Sequence, residues 1–198
     1  MIMRNCVGLS RLLDSLQGPI RVIVTQCDGP TYKQMSTSSH IHVRPLEIAD
    51  FPFVRALASK QPDFTVPPLY VLWLIVRIKG AICLVAEHSS SGPIAYLLAV
   101  PIEGQGNSIF IWQVAALEGR QRNKATSAIL TEFRKTVLDL AFDSVQFSSV
   151  PNSSAYRLIR RYAWKLASIV PEKLHALPAV VSDRETEFRL SVSNIRSS

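Results

Sequence analysis

The stretch from Ser108 to Phe142 narrows the fold more than any other part of the chain. An apolar run, Ser108 to Leu117, reads as a strand; it meets Glu118-Gly119 and passes into a helix, Lys124 to Phe142. Ile129, Leu130, Phe133, Val137, Leu138 and Leu140 recur at helical spacing and give that helix one face to bury. A strand feeding such a helix needs a sheet for the helix to pack on.

The flanking sequence supplies that sheet. His42 to Leu46 alternates like a strand, and Asp50 is placed to cap an amphipathic helix, Phe51 to Ser59, with Pro52 at its first position. Leu69 to Ile78 is a second helix. Ala81 to Glu87 and Pro93 to Val100 are apolar strands around a Ser89-Ser90-Ser91-Gly92 loop. Val145 to Val150 is a fifth strand, Pro151-Asn152-Ser153 opens a helix to about Ser168, and Glu185 to Val192 is a closing strand. The order β-α-α-β-β-β-α-β-α-β predicts an α/β fold: a mixed sheet with helices on both faces.

Residues 1–40 stand apart. Met1 to Lys33 is acid-poor with a short, broken apolar pattern and no secretory signature; a transit peptide and a start at Met35 both fit it. The reading is an N-terminal extension over 1–40, one domain over 41–192 and a tail over 193–198. The longest apolar run, Val66 to Val76, is about half the roughly 20 residues that a membrane span needs. Three cysteines (Cys6, Cys27, Cys83) without a CxxC pair give no zinc spacing and fit reduced thiols in a cytoplasmic protein. No metal is expected. The net charge of +7 suits a polyanionic partner, and no nucleic-acid recognition motif or membrane segment is present to take it up.

The strand-to-helix turn is where an anion would sit. A helix start leaves backbone N–H groups unpaired and its dipole favours negative charge. Arg120, Arg122 and Lys124 crowd that point, making a cradle suited to pyrophosphate, or simply a basic, solvated helix start.

Val114-Ala115-Ala116-Leu117-Glu118-Gly119-Arg120-Gln121-Arg122-Asn123-Lys124-Ala125-Thr126 resembles the acetyl-CoA motif of the GCN5-related N-acetyltransferases (GNAT). Phe110-Ile111-Trp112-Gln113-Val114-Ala115 is similar to the corresponding segment of one branch, the diaminobutyrate acetyltransferases of ectoine synthesis. Tyr70, the Cys83 to Glu87 run, Val150 to Ala155 and Glu185 to Leu190 resemble that branch too. The resemblance implies the GNAT fold, with a mostly antiparallel sheet. It implies acetyl transfer from acetyl-CoA to a small primary amine, diaminobutyrate or a related diamino acid. It also implies that Val114 and Ala116 pair with the pantetheine, and that Gln121, Arg122, Asn123, Lys124, Ala125 and Thr126 hold the pyrophosphate. Ser153 stands in the place of the family's cofactor-side asparagine. Asp63, Tyr70, Trp112 and Gln146 fall on the substrate side, and a homodimer is compatible with the family. The alternative is a CoA-binding module of the same fold that has lost catalysis.

Several positions depart from the family pattern. Lys124 and Thr126 stand where glycines are expected, and Arg160 where many relatives carry a tyrosine that protonates the leaving thiolate. Thr65-Val66-Pro67-Pro68 and Gln146 replace acidic and amide residues, which predicts a more apolar acceptor pocket contacted by Tyr70 and Trp112. No catalytic acid or base is assigned. Trp112 and Tyr70 either contact substrate or fill the core.

Overall fold

A computed structural model describes residues 40–61, 64–102, 106–167, 171–178, 181 and 183–192. The expected extension up to residue 39, Asp63 and the tail from 193 lie outside the described residues. The elements run β1 (Ile41–Pro45), α1 (Phe51–Ala58), α2 (Leu69–Ile75), β2 (Ile82–His88), β3 (Gly92–Ile102), β4 (Ser108–Ala116), α3 (Arg122–Asp139), β5 (Ser144–Ser149), α4 (Ser154–Ala167), β6 (Glu172–Ala176) and β7 (Thr186–Ser191). The seven strands form one sheet in the order β1-β2-β3-β4-β5-β7-β6. Every neighbouring pair is antiparallel except β4 with β5. Among the described residues no helix is long and apolar enough to cross a membrane.

Side chains alternate across the central strands and so build two cores. On one face Leu84, Leu97, Ile109 and Ile111 pack with Ile129, Phe133 and Val137 of α3 and Ile159 of α4. Phe188 stacks on Phe147 at 5.3 Å between centroids, and Tyr156 of α4 lies 4.8 Å from the same ring. On the other face Val85, Tyr96, Leu98 and Ala115 pack with Phe51, Val54 and Leu57 of α1 and Leu72 of α2.

β6 has no counterpart among the strands read from sequence. Glu172-Lys173-Leu174-His175-Ala176 is mostly exposed at the edge of the sheet, so it lacks the apolar alternation that marks a strand. Pairing with β7 makes it one, and His175 Nε2 meets Glu187 at 2.7 Å across that pair.

Asp50 also differs from its expected role. Its side chain does not cap α1. Instead its carboxylate takes a two-pronged bond from Arg44, at 2.7 and 2.8 Å, and accepts the Glu47 N–H at 2.8 Å. Arg44 also reaches Glu87 of β2 at 2.5 Å. One guanidinium thus ties β1, β2 and the entry to α1 together. Burial alone would push the Asp50 carboxyl up, but the Arg44 fork and the Glu47 N–H more than offset this and hold it below its ordinary 3.8.

α3 ends on a left-handed residue that is not glycine. Ala141 has φ of 55°, and the bonds Phe142 N–H to Val137 carbonyl (3.1 Å) and Ala141 N–H to Leu138 carbonyl (3.1 Å) complete a Schellman close.

Two predictions follow from this architecture. Ala141→Gly removes the steric cost of a Cβ at positive φ and stabilises the protein by about 1 kcal/mol, read as a Tm rise of about 2–4 °C. Because its pKa is depressed in the fold, Asp50 contributes stability above pH 4 that is lost as pH falls through the folded value. Arg44→Leu strands the buried carboxylate and costs about 3 kcal/mol at pH 7. Urea midpoints across pH 7 to 3 should show that gap narrowing once Asp50 protonates.

Candidate functional site

β4 carries one more residue than its partner. Leu98 faces Gln113 and Ala99 faces Ile111, so Trp112 is a bulge with no partner of its own in β3. The extra residue resets the alternation. Ile109 and Ile111 face α3, whereas Trp112 and Gln113 both pack toward α1 and α2, and Val114 and Ala116 return to the α3 face. On the other edge of β4, parallel pairing with β5 ends at the same place: the last pair is Ile111 with Phe147. Beyond it the two strands separate.

The opening is a cleft of about 360 Å³, within the range of small-molecule sites. One wall is Trp112 to Ala116 of β4, with Gln61, Phe64 and Thr65 from the α1–α2 connection. The other is Ser148, Ser149 and Val150 at the end of β5, Ser153 to Ala155 and Leu158 of α4, and Glu185 beside β7. Arg122, Asn123 and Thr126 of α3 complete the lining.

The wall of β4 carries usable main-chain groups. Leu117 N–H bonds to the Ile94 carbonyl of β3 at 2.8 Å. Strand groups alternate sides with a period of two, so Val114 and Ala116 present their N–H and C=O to the cleft rather than to β3. At the start of α3, Arg122 N–H bonds back to Gly119 (3.2 Å) and Ala125 N–H to Gln121 (2.8 Å). Between them, the N–H groups of Asn123 and Lys124 have no acceptor within the helix. Gly119, at φ of 127°, makes the turn that aims β4 into this helix, a conformation that a side chain would strain. The Gln121 Oε1 beside it is buried without a hydrogen-bond partner, and Gln121 does not line the cleft.

The residues singled out in the sequence therefore divide. Trp112, Val114, Ala116, Arg122, Asn123, Thr126 and Ser153 line this one cleft. Ala125 is buried beneath the helix start, and the Thr126 hydroxyl bonds to the Arg122 carbonyl at 2.8 Å. Lys124 lines a separate shallow groove with Ile41, His42 and Val43 of β1, so its side chain stays out of the cleft where glycine was expected. The Ser153 hydroxyl accepts the Tyr156 N–H at 3.1 Å, which makes it the N-cap of α4.

Tyr70 and Gln146 lie elsewhere. Tyr70 is 68% exposed on α2, stacked 6.2 Å from Trp73, which in turn carries the Arg77 guanidinium 3.9 Å from its ring centroid. Gln146 is fully buried in β5 between Phe110 and Arg189. Arg160 is exposed and does not line the cleft. Val66, Pro67 and Pro68 are likewise absent from the lining, whose apolar surface comes instead from Phe64, Trp112, Val114, Val150 and Leu158.

Glu185 and Gln113 are among the lining residues that carry no role in the sequence analysis. Glu185 is the single carboxylate among the described lining residues; its cue was only a place at the start of a strand-like tail. Gln113 sits between two hydrogen-bonding partners, and its cue was a lone amide inside an apolar strand. Cys83 is no nucleophile: burial pushes its thiol up to about 11, against a weaker opposing backbone bond from Ala99. Among the described residues no group of three or more His, Cys, Asp or Glu could hold a metal ion.

Solved structures share this fold. The diaminobutyrate acetyltransferase of Paenibacillus lautus, solved in complex with its substrate L-2,4-diaminobutyric acid and coenzyme A, superposes with a TM-score of 0.66 at 20% identity, over 77% of this chain and 95% of that one. The chain has the GNAT acetyltransferase fold. A dodecameric spermidine N-acetyltransferase from Vibrio cholerae matches this GNAT fold with a TM-score of 0.60 at 15% identity, over 80% and 98% of the two chains. The ribosomal-protein-S18-alanine N-acetyltransferase of Escherichia coli matches at 0.55 and 11%, over 76% and 91%. No protein-family model and no curated protein sequence matches the chain.

The open helix start gives a direct test. Asn123→Pro deletes one cleft-facing N–H at a position where the first helical turn tolerates proline. It should leave the circular-dichroism helix signal intact and weaken coenzyme A binding by about tenfold, the value of one charge-assisted hydrogen bond.

Proposed function

We propose that the protein transfers the acetyl group of acetyl-CoA to the primary amine of a small cationic molecule in the cytoplasm, with L-2,4-diaminobutyrate as the first acceptor to test. The observation that carries this reading is the divergence of β4 from β5. It leaves a strand edge (Val114, Ala116) and a helix start (Asn123, Lys124) facing one cleft. An extended, amide-bearing arm fits the strand edge, and a pyrophosphate fits the helix start with Arg122 beside it. Lys124 adds its N–H without crowding the cleft.

Acetyl-CoA supplies an acetyl group already activated as a thioester. The chain supplies position, polarity and a proton acceptor. An acceptor amine with a lysine-like pKa is almost fully protonated at pH 7, and only its neutral form attacks a carbonyl carbon. Glu185 provides the carboxylate that draws the cation into the cleft and receives its proton, directly or through water. The new C–N bond forms as the C–S bond breaks. The departing sulfur carries the electron pair of that bond, and a thiol near pKa 8.5 leaves without a strong acid beside it. Glu185 thus adds to the cleft a carboxylate that the expectation from Val66, Pro67, Pro68 and Gln146 did not include.

Millimolar acetyl-CoA at a hundred times its Kd should stabilise the protein by about 2.7 kcal/mol in a thermal shift. Incubation with an amine panel should release free thiol, most readily with cationic amines. Glu185→Gln should lower kcat/KM for the acceptor by about tenfold or more while leaving the acetyl-CoA shift in place. Absence of both the shift and thiol release in the unaltered protein would overturn the assignment.

A further inference from the structure

A buried hydrogen-bond chain stands behind the cleft. The Tyr96 hydroxyl of β3 donates to Gln113 Oε1 at 3.0 Å, and Gln113 Nε2 donates to the Thr65 carbonyl at 2.9 Å. Tyr96 is fully buried and Gln113 is 6% exposed, while Thr65 belongs to the connection between α1 and α2. Phe64 and Thr65 line the cleft; Tyr96 does not.

The direction of this chain is forced. A carbonyl can only accept, so the Gln113 amide must turn its NH₂ toward Thr65 and its oxygen toward Tyr96. That oxygen is satisfied only because a hydroxyl faces it. Burial pushes the Tyr96 pKa well above the usual phenol value, so the donor keeps its proton throughout the physiological range. The Trp112 bulge is what brings Gln113 to this face, since regular alternation from Ile111 would have carried it to the α3 side.

The connection that Gln113 holds has little main-chain anchorage of its own. Residues 64–68 form neither helix nor strand, and Pro67 and Pro68 have no N–H to give. We propose that Tyr96 is a positioning residue for the acceptor end of the cleft: its hydroxyl orients the Gln113 amide, which clamps the Thr65 carbonyl and so fixes the loop that walls that end. The clamp is independent of the chemistry; its effect on an acceptor rests on the acetyltransferase reading above.

Tyr96→Phe deletes the hydroxyl and keeps the ring. Gln113→Met keeps the side-chain length and removes both the acceptor for Tyr96 and the donor for Thr65. In the unliganded protein both variants should speed hydrogen exchange at the amides of residues 64–66 and 69–72 by about tenfold. With acetyl-CoA and the best amine of the panel, both should raise the acceptor KM by about tenfold and leave the acetyl-CoA dissociation constant within about twofold. Ile129→Val, a core truncation on the opposite face, serves as the stability control: it lowers Tm without moving either readout. Unchanged exchange in both variants overturns the clamp, whatever the activity. Faster exchange with an unchanged acceptor KM overturns the positioning role and leaves a structural bond. No transfer to any amine by the unaltered protein would instead count against the functional reading, with the exchange data still deciding the clamp.

Discussion

Parallel pairing between β4 and β5 runs from Ser108 against Ser144 to Ile111 against Phe147 and then stops. At the closed end the two serine hydroxyls bond at 2.7 Å in a buried position, which pins the strands where they meet. At the open end the Trp112 bulge bends and twists β4 away. A sheet cannot leave backbone groups buried and unpaired without a cost of about 1–3 kcal/mol for each. An opening between two central strands therefore has to be wet or filled by a ligand with an extended polar backbone. The start of α3 and the cap of α4 both face that opening because each helix begins where its preceding strand leaves the sheet.

The electrostatics follow the same division. On the far side of the sheet, Arg44 spends its charge on Asp50 and Glu87, holding β1, β2 and the α1 entry as a unit. Near the cleft, Arg122 lines the cavity and Lys124, two residues on, lies on the side of the helix toward β1, so the positive charge at the helix start is shared between two separate hollows. The negative charge in the cleft comes from Glu185, across from the α1–α2 wall. A cleft lined by both a guanidinium and a carboxylate suits ligands of opposite signs.

Much of this was legible in the sequence, for reasons that can be named. The strand-turn-helix over Ser108 to Phe142 is written in local periodicity, so β4 and α3 appear where expected, with α3 beginning two residues early at Arg122. The mixed sheet followed from the element order, and its mostly antiparallel pairing from the family resemblance. β6 stayed hidden because its partner, not its own composition, makes it a strand. Asp50 was assigned to the wrong device because Ser, Thr, Asn and Asp before a helix usually cap it, whereas Arg44 is six residues away and its reach depends on the fold. Of the candidate site residues, most of those on β4 and α3 converge, being fixed by one local unit, while the Lys124 side chain turns to another groove. Tyr70 and Gln146 depended on tertiary placement, and that placement leaves one on the surface and the other in the core. Glu185 reaches the cleft from a strand nearly seventy residues beyond β4, a distance that no local pattern spans.

The bulge at Trp112 also bears on how such a chain can vary over generations. Residues on either side of it already face partners in β3, so removing that single codon would leave a regular, fully paired β3–β4 ladder. Such a deletion is mild for folding. It would nevertheless take out the bend that leads β4 away from β5 and so narrow the opening, while Gln113 stayed opposite Leu98 and toward Tyr96. Length at this position, rather than the identity of any one side chain, separates a sheet that can admit a ligand from one that is merely stable.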